Sequence, residues 1–293
     1  MSAKPMLLTV SIISNNNRDL LLACIDSIYK TADGLDVEVI VVDNVSADGS
    51  VGAVRARFPE VRVIVNENKE GFSSNNNKAL RVARGDFLLI LNDDTVVHEG
   101  ALRLMADFLK ANPHAGAVGG ALLNPDGTPQ FTGKARPTLL AAAMISLGLH
   151  RLFPNNPVTA KYFHVKEGYK DAEEVESING AALMVRREVI EKVGLLDEGF
   201  FLFCEDVDWC LRMREAGYRL YFLPGARITH YRGASTGGRR MVGIYHRSLL
   251  RFYRKHYAKE SFFLVNWLVY LAIFLRFLVF WVYGNVRKRG PAK

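Results

Sequence analysis

Five acidic positions in this chain have neighbours that make their chemistry readable. The run Phe87-Leu88-Leu89-Ile90-Leu91 ends on Asn92-Asp93-Asp94. Five consecutive apolar residues read as a strand buried on both faces. Charge does not stay in a dry core, so the two carboxylates must emerge at the strand's carboxyl end. In open α/β sheets that edge is where ligands bind. Adjacent aspartates there can hold a hard divalent cation, which in turn can grip a diphosphate. A solvated turn after a core strand is the plainer reading of the same residues. The segment Val37–Val42 closes on Asp43 in the same way, and a strand-end acid of this kind accepts hydrogen bonds from a ribose or base.

Glu205-Asp206 follow the aromatic lead-in Gly199-Phe200-Phe201-Leu202-Phe203-Cys204. They open a helix, whose dipole favours ionised carboxylates at its start. A helix-capping Asp206 beside an exposed Glu205 is the structural alternative. His230 ends the segment Ala226–His230, expected to be extended, and is a candidate metal ligand, although a lone histidine often serves structure alone. No G-x-G-x-x-G follows the first strand, and no G-x-x-x-x-G-K-[ST] occurs, which counts against a dinucleotide oxidoreductase and a P-loop phosphotransferase.

The elements that must position these groups follow from the patterning. Leu7–Ser14 is β-branched and apolar, a first strand. Leu20–Lys30 has helical spacing, with Asn17 or Asp19 placed to cap it. Strands are expected at Val37–Val42, Val61–Val65 and Phe87–Leu91, a polar loop at Gly71–Asn77 and a helix at Lys78–Arg84. Four strands with helices between them, within about ninety residues, indicate a parallel, doubly wound sheet. An amphipathic helix at Glu99–Asn112 and a strand at Ala117–Leu123 come next, then a turn at Asn124-Pro125-Asp126-Gly127. Thr138–Phe153 is apolar and reads as a core helix, with a place on a bilayer or along an acceptor channel as alternatives. Pro154–Glu176 reads as a mobile loop. Ser177–Arg186 is a strand interrupted by Gly180, where a backbone or ligand approaches closely. Arg187–Val193 is a helix, and Arg219–Leu223 is a further strand. Asn76 and Asn77 are either turn formers or donor contacts. Arg232, in the glycine-rich Arg232–Arg240, is either a diphosphate clamp on a lid or part of a solvated loop.

Composition narrows the partners. The 293 residues carry a net charge of +8, from 38 Lys+Arg against 30 Asp+Glu, which favours anionic partners. The basic residues gather late in the chain, and nucleic acid is not expected as a partner. Three scattered cysteines lack metal-ligand spacing and suggest free thiols in a reducing compartment. Met1–Pro5 lacks the features of a secretory signal, so the bulk of the protein is expected in the cytosol. Met241–Tyr257 is basic and aromatic, and Ser261–Val286 is almost wholly apolar. That segment is long enough to cross a bilayer. Arg276 near its middle would cost about 2.5–3.5 kcal/mol there, and one crossing would export Arg287-Lys288-Arg289 against the positive-inside tendency. Helices embedded in the cytoplasmic leaflet, or a re-entrant pair bending near Arg276, are therefore preferred. A full span and burial in a homo-oligomer interface are the other readings.

In combination the motifs resemble family 2 glycosyltransferases, most nearly the bacterial rhamnosyltransferase-like branch. The resemblance covers about residues 7–240. It rests on Val41-Val42-Asp43-Asn44 with Asp48-Gly49-Ser50, Gly71-Phe72 with Asn76-Asn77, and Asn92-Asp93-Asp94. Asp126-Gly127, Asn179-Gly180, and Phe203–Arg212 with Gly217 and His230 complete the set. It implies a glycosyltransferase A-type α/β fold, Rossmann-like with a mostly parallel mixed sheet. Residues 1–240 would form the catalytic domain and 241–293 its membrane-associated helices. It also implies metal-dependent, inverting transfer from a nucleoside-diphosphate sugar (dTDP- or UDP-linked, rhamnose being one candidate) to a lipid-linked glycan. The setting would be cell-surface polysaccharide synthesis, such as that of lipopolysaccharide, at the cytoplasmic face of a bacterial inner membrane. Carried over, Asp43 contacts the nucleoside and Asp93 the ribose or donor sugar. Asp94 and His230 hold Mg²⁺ or Mn²⁺, Asp206 is the base with Glu205 beside it, and Asn17, Asn76, Asn77 and Arg232 contact the donor. Three departures stand out: Ser14-Asn15-Asn16-Asn17 where a Pro-Thr-Tyr-Asn is usual, an extra residue at Lys69-Glu70, and Ala79 where glycine is usual. The alternatives are a catalytically silent sugar-nucleotide-binding or scaffolding subunit, and a nucleotidyltransferase. The latter is expected to carry a glycine-rich loop that Ser14–Asp19 lacks.

Overall fold

The computed structural model describes residues 7–130, 133–134, 144, 153, 156, 171–231 and 239–286. The apolar run at the centre becomes β4 (Phe87–Asn92), and its side chains divide between the two faces of a sheet. Phe87, Leu89 and Leu91 enter one core, and Leu88 and Ile90 enter the other. Burying each such side chain stabilises the fold by about 1.5–3 kcal/mol. Before it come β1 (Leu7–Ser14), α1 (Arg18–Lys30), β2 (Asp36–Asp43), α2 (Ser50–Arg57), β3 (Arg62–Val65) and α3 (Phe72–Val82). After it come β5 (Thr95–Val97), α4 (Ala101–Ala111), β6 (Ala115–Leu123), β7 (Gly133–Lys134), β8 (Glu173–Val175), β9 (Ser177–Ile178) and β10 (Ala182–Arg186). Then follow α5 (Arg187–Val193), α6 (Glu205–Glu215), β11 (Arg219–His230), α7 (Arg239–His256) and α8 (Phe263–Val286).

The main sheet runs β3-β2-β1-β4-β10-β6-β11-β5, with β8 also on β11. β3, β2, β1 and β4 are mutually parallel, as are β6 and β11, while β10 runs antiparallel between β4 and β6. The sheet is thus mixed, the glycosyltransferase A-type arrangement. Residues of α1, α2 and α4 pack on one face, and residues of α3, α5 and α6 on the other.

Several elements differ from expectation for physical reasons. Gly71–Asn77 is not a loop, because α3 begins at Phe72 and its asparagines are buried with partners that offset their weak helix propensity. Ser177–Arg186 is two strands, parted at Asn179–Ala181. Arg219–Leu223 and Ala226–His230 belong to one strand, β11, whose register shifts between Leu223 and Arg227, around Pro224-Gly225. The expected helix Thr138–Phe153 lies almost wholly outside the described residues. So does the loop Pro154–Glu176, apart from residues 156 and 171–176, where β8 forms.

The C-terminal part is a pair of antiparallel helices. Helix α8 is continuous through Arg276, so the re-entrant pair bending there, one of the two preferred readings, does not form. The guanidinium of Arg276 turns toward α7 and stands 4.9 Å from the Tyr245 ring and 5.0 Å from the Phe280 ring. Further along the pair, the Tyr253 hydroxyl donates to Asn266 Oδ1 at 2.6 Å. The stretch Phe263–Val282 is long and apolar enough to cross a membrane, and none of it is buried within the chain.

Candidate functional site

Three parallel strands release their polar residues at one edge. β1 ends before Asn15-Asn16-Asn17, β2 ends on Asp43, and β4 runs into Asp93-Asp94. Asn16 and Val45 adopt left-handed φ values of 56° and 61°, a conformation that costs energy for residues other than glycine. The two loops hold each other there. Arg18 N donates to Asp48 Oδ2 at 2.8 Å, and Ala47 N donates to Asn16 Oδ1 at 2.7 Å. Asp43 is 2% exposed. Its Oδ2 accepts from Ser46 N at 3.1 Å, while Oδ1 has no partner. A buried acceptor of this kind is open to a ligand donor. Asn17 sits at the helix N-cap without capping through its side chain. Instead its Nδ2 donates to Asp93 Oδ1 at 3.2 Å.

Asp93 and Asp94 form the turn from β4 into β5, and both are buried. Burial, with a smaller contribution from the neighbouring Asp94 charge, pushes the Asp93 carboxyl up to about 7. β5 is a short strand that pairs antiparallel with the end of β11, so His230 faces Thr95. His230 Nε2 lies 3.2 Å from Asp94 Oδ1 and 3.3 Å from Asn92 Nδ2. Gln130 settles which histidine nitrogen carries hydrogen. Its Nε2 donates to the carbonyls of His230 and Leu123 and to Asn124 Oδ1. Its Oε1 is therefore the atom 3.0 Å from His230 Nδ1, which must donate to it. Nε2 is then left as an acceptor, within reach of the Asn92 Nδ2 donor and beside the Asp94 carboxylate, where a cation could be shared by the two.

That donor set fits a divalent metal in one mode. Among the described residues no three His, Cys, Asp or Glu side chains form a metal cage. Two protein ligands with diphosphate oxygens completing the shell is, however, how hard cations are held on nucleotides. Gln130 would act as the outer partner orienting the histidine. It was not identified from the sequence, where it sits only as a polar residue after the Asp126-Gly127 turn.

The second acidic pair reaches the same edge from the other face of the sheet. β10 pairs antiparallel with β4, Ala182 facing Leu91, and Asn92 N donates to Ala181 O at 3.0 Å. Gly180 is thus the chain neighbour of the residue bonded to Asn92, which itself precedes Asp93. Gly180 N donates to Asp206 Oδ2 at 3.1 Å, and Val207 N donates to Asp206 Oδ1 at 2.8 Å. The close approach of a backbone or ligand expected at Gly180 is not seen, since a Cβ added there would stand 3.4 Å from Asp206 Cβ, an ordinary contact. Phe203 and Cys204 enter α6 with φ of 72° and 68°. Cys204, not Asp206, is the N-cap, and Glu205 is buried rather than exposed. The capping alternative therefore does not hold.

Asp208, which the sequence reading passed over, locks this helix. It is fully buried. Its Oδ2 accepts from Arg212 Nε at 2.9 Å, and its Oδ1 lies 2.7 Å from both Lys255 Nζ and His256 Nε2 of α7. Arg251 and Lys255 also bind Asp197 at 2.7 and 2.8 Å.

Not every expected contact reaches the edge. Asn76 accepts from Ser11 Oγ at 2.9 Å and donates to Phe72 O at 3.2 Å. Asn77 donates to Leu196 O and Glu198 Oε1, both at 2.9 Å, and accepts from Leu196 N at 3.1 Å. Both side chains are buried and used within the fold, so their donor-contact reading gives way to a structural one. Arg232 lies outside the described residues.

Comparison with known proteins gives the same direction. The profile described as glycosyl transferase family 2 matches residues 9–194. The N-acetylglucosaminyl-diphospho-decaprenol L-rhamnosyltransferase of Mycobacterium tuberculosis is 29% identical over 213 residues, covering 69% of this chain and 68% of its own. Rhamnosyltransferase WbbL of Escherichia coli is 26% identical over 171 residues, covering 55% of this chain and 61% of its own. Among solved structures, the mannosyltransferase PcManGT of Pyrobaculum calidifontis, in complex with GDP-Man and Mn²⁺, superposes with a TM-score of 0.58 at 21% identity. The match covers 86% of this chain and 64% of that one, and at such identity the likeness is one of fold.

Proposed function

The chain belongs to glycosyl transferase family 2, and we propose that it moves a sugar, rhamnose being the leading candidate, from a nucleoside-diphosphate donor to a hydroxyl of a lipid-linked glycan. The observation that carries this reading is the convergence of Asp206, through Gly180, on the strand end that carries Asp93-Asp94. A base for the acceptor then faces a cradle for the donor. In this reading Asp43 takes hydrogen bonds from the nucleoside, and Asp93, oriented by Asn17, takes them from the ribose or donor sugar. Asp94 and His230 hold a divalent metal, which when bound neutralises charge on the leaving diphosphate. Asp206 removes the acceptor proton, the freed oxygen forms a bond to the anomeric carbon, and the bond from that carbon to the diphosphate breaks. A single displacement inverts the anomeric centre and needs no nucleophilic carboxylate on the enzyme.

The helix pair supports work at a membrane surface. Helix α8 runs along α7, and α7 is clamped to the catalytic domain through Asp197 and Asp208. A crossing α8 would carry basic α7 into lipid with it, whereas an α8 lying in the cytoplasmic leaflet keeps α7 at the headgroups. Intact Asp94, Asp206 and His230 argue against a silent subunit. Thermal shift of the purified chain against a panel of nucleotide sugars, with and without Mn²⁺ or Mg²⁺, tests the reading. Metal-dependent stabilisation by one or a few donors is expected. No response to any donor, with transfer absent as well, would overturn it.

A further inference from the structure

Helix α7 carries a glycine in its interior, Gly243, where glycine weakens a helix relative to alanine. No close packing requires it, since a Cβ added there would meet nothing within 4 Å. The space it leaves is part of a groove of about 600 Å³ between α7, α8 and the segment of Gly199 and Phe201. Arg240, Gly243, Ile244 and Arg247 line one wall of it. Their spacing of three, four and seven residues puts them on one helix face, with the glycine notch between the two arginines. The opposite wall carries Phe277 and Trp281 of α8. Among the described residues no acidic side chain lines the groove. Two other cations of α7 are ion-paired, Arg251 to Asp197 and Lys255 to Asp197 and Asp208, and Arg254 stands 5.4 Å from the Tyr270 ring. Arg240 and Arg247 make no ion pair among the described residues. The groove floor is tied to the base-bearing helix, because Ser248 Oγ donates to Leu202 O at 2.7 Å, four residues before Asp206.

We propose that this groove binds the diphosphate and first isoprenoid units of an isoprenoid-diphosphate-linked acceptor. Arg240 and Arg247 would close on the two phosphates across the Gly243 notch, and Phe277 and Trp281 would border the hydrocarbon. Two guanidiniums on the wall of one groove match an anion with two linked phosphoryl groups better than the single phosphate of a bulk phospholipid. The groove opens between an apolar helix and the loop that leads to Asp206, so a lipid held there presents its sugar to the base. This rests on the lipid-linked acceptor of the proposed function and names the part of the acceptor that is recognised.

Titration calorimetry on the full chain in neutral detergent, with farnesyl diphosphate as probe and EDTA present, tests it. Farnesyl monophosphate and phosphatidylcholine vesicles with or without phosphatidylglycerol are the contrasts. Farnesyl diphosphate should bind more tightly than the monophosphate, and Arg240→Gln and Arg247→Gln should each weaken it about tenfold. Gly243→Leu should weaken it at least as much while leaving the melting temperature unchanged or higher. Wild-type affinity in all three variants, or equal affinity for the monophosphate, would overturn the assignment. Binding that follows phosphatidylglycerol content alone would also overturn it, as general attraction to anionic lipid. The two readings separate cleanly. Transfer to a water-soluble acceptor without any farnesyl diphosphate binding sinks the groove alone. Binding through Arg240 and Arg247 without turnover of any nucleotide sugar sinks the sheet-edge reading and leaves the groove.

Discussion

The two acidic pairs are built by opposite means. Asp93-Asp94 sit in a turn held from the sheet edge: Asn17 after β1 and His230 on β11 reach the carboxylates, and Asn92 on β4 and Gln130 after β6 bond the histidine. Asp206 is held by two backbone N–H groups at the start of a helix. That helix is in turn gripped through Asp208 by the last turn of α7. In the proposed reading the donor side is therefore a property of the sheet, whereas the base side depends on a helix tied to α7 and through it to apolar α8. The proposed base and the docking of that helix pair share one ion cluster.

The largest expected break in this contrast is Asp206→Asn. Transfer should fall by about a thousandfold while donor affinity stays within about twofold, because a general base acts in the transition state and the donor is held elsewhere. Turnover and calorimetric donor binding, measured on one preparation, check it. Asp94→Ala should do the reverse, weakening metal-dependent donor binding by about a hundredfold, with His230→Ala nearer tenfold, since the aspartate brings the charge a hard cation needs. Metal titrations in the presence of donor read both, and unchanged metal dependence in the pair would remove the site.

Asp208→Asn sharpens the comparison, because it touches neither substrate. It should lower turnover about tenfold and stability by about 3 kcal/mol, through the loss of a buried charge cluster. Donor affinity should be unmoved, which equilibrium unfolding and donor titration together establish. The smallest effect is one of pH. Burial alone would raise the Asp197 carboxyl, but hydrogen bonds from Lys255 and Arg251 overcome it and hold the group at about 2. Asp208 is lowered too, its burial outweighed by His256, Lys255 and Arg212. A carboxylate depressed in the folded state adds stability above its unfolded value and loses it as pH falls through the folded one. Docking of α7 should therefore be complete above about pH 4 and weaken toward pH 2, read by near-ultraviolet circular dichroism, and Asp197→Asn should flatten that step.

Much of the donor edge was legible because it rests on local pattern. β1 has the bounds its β-branched run predicts, and β4 exceeds its apolar run only by Asn92. What the sequence did not disclose depends on long-range partners. Gln130 matters only because β11 brings His230 to it across 100 residues. Asp208 reads as one more acid on a charged helix until α7 returns 48 residues later. The asparagines of α3 looked like a loop because their propensity says so, and tertiary hydrogen bonds overrule it. Arg276 looked like a break in an apolar segment, but two rings beside it let the helix continue.

The central claim is that one carboxylate, Asp206, activates the acceptor for direct displacement of the diphosphate. The anomeric configuration of the product, read by proton NMR against that of the nucleotide-sugar donor, tests it most directly. Inversion is expected. Retention would require a covalent or front-face route that Asp206, acting as base, does not provide, and would contradict it.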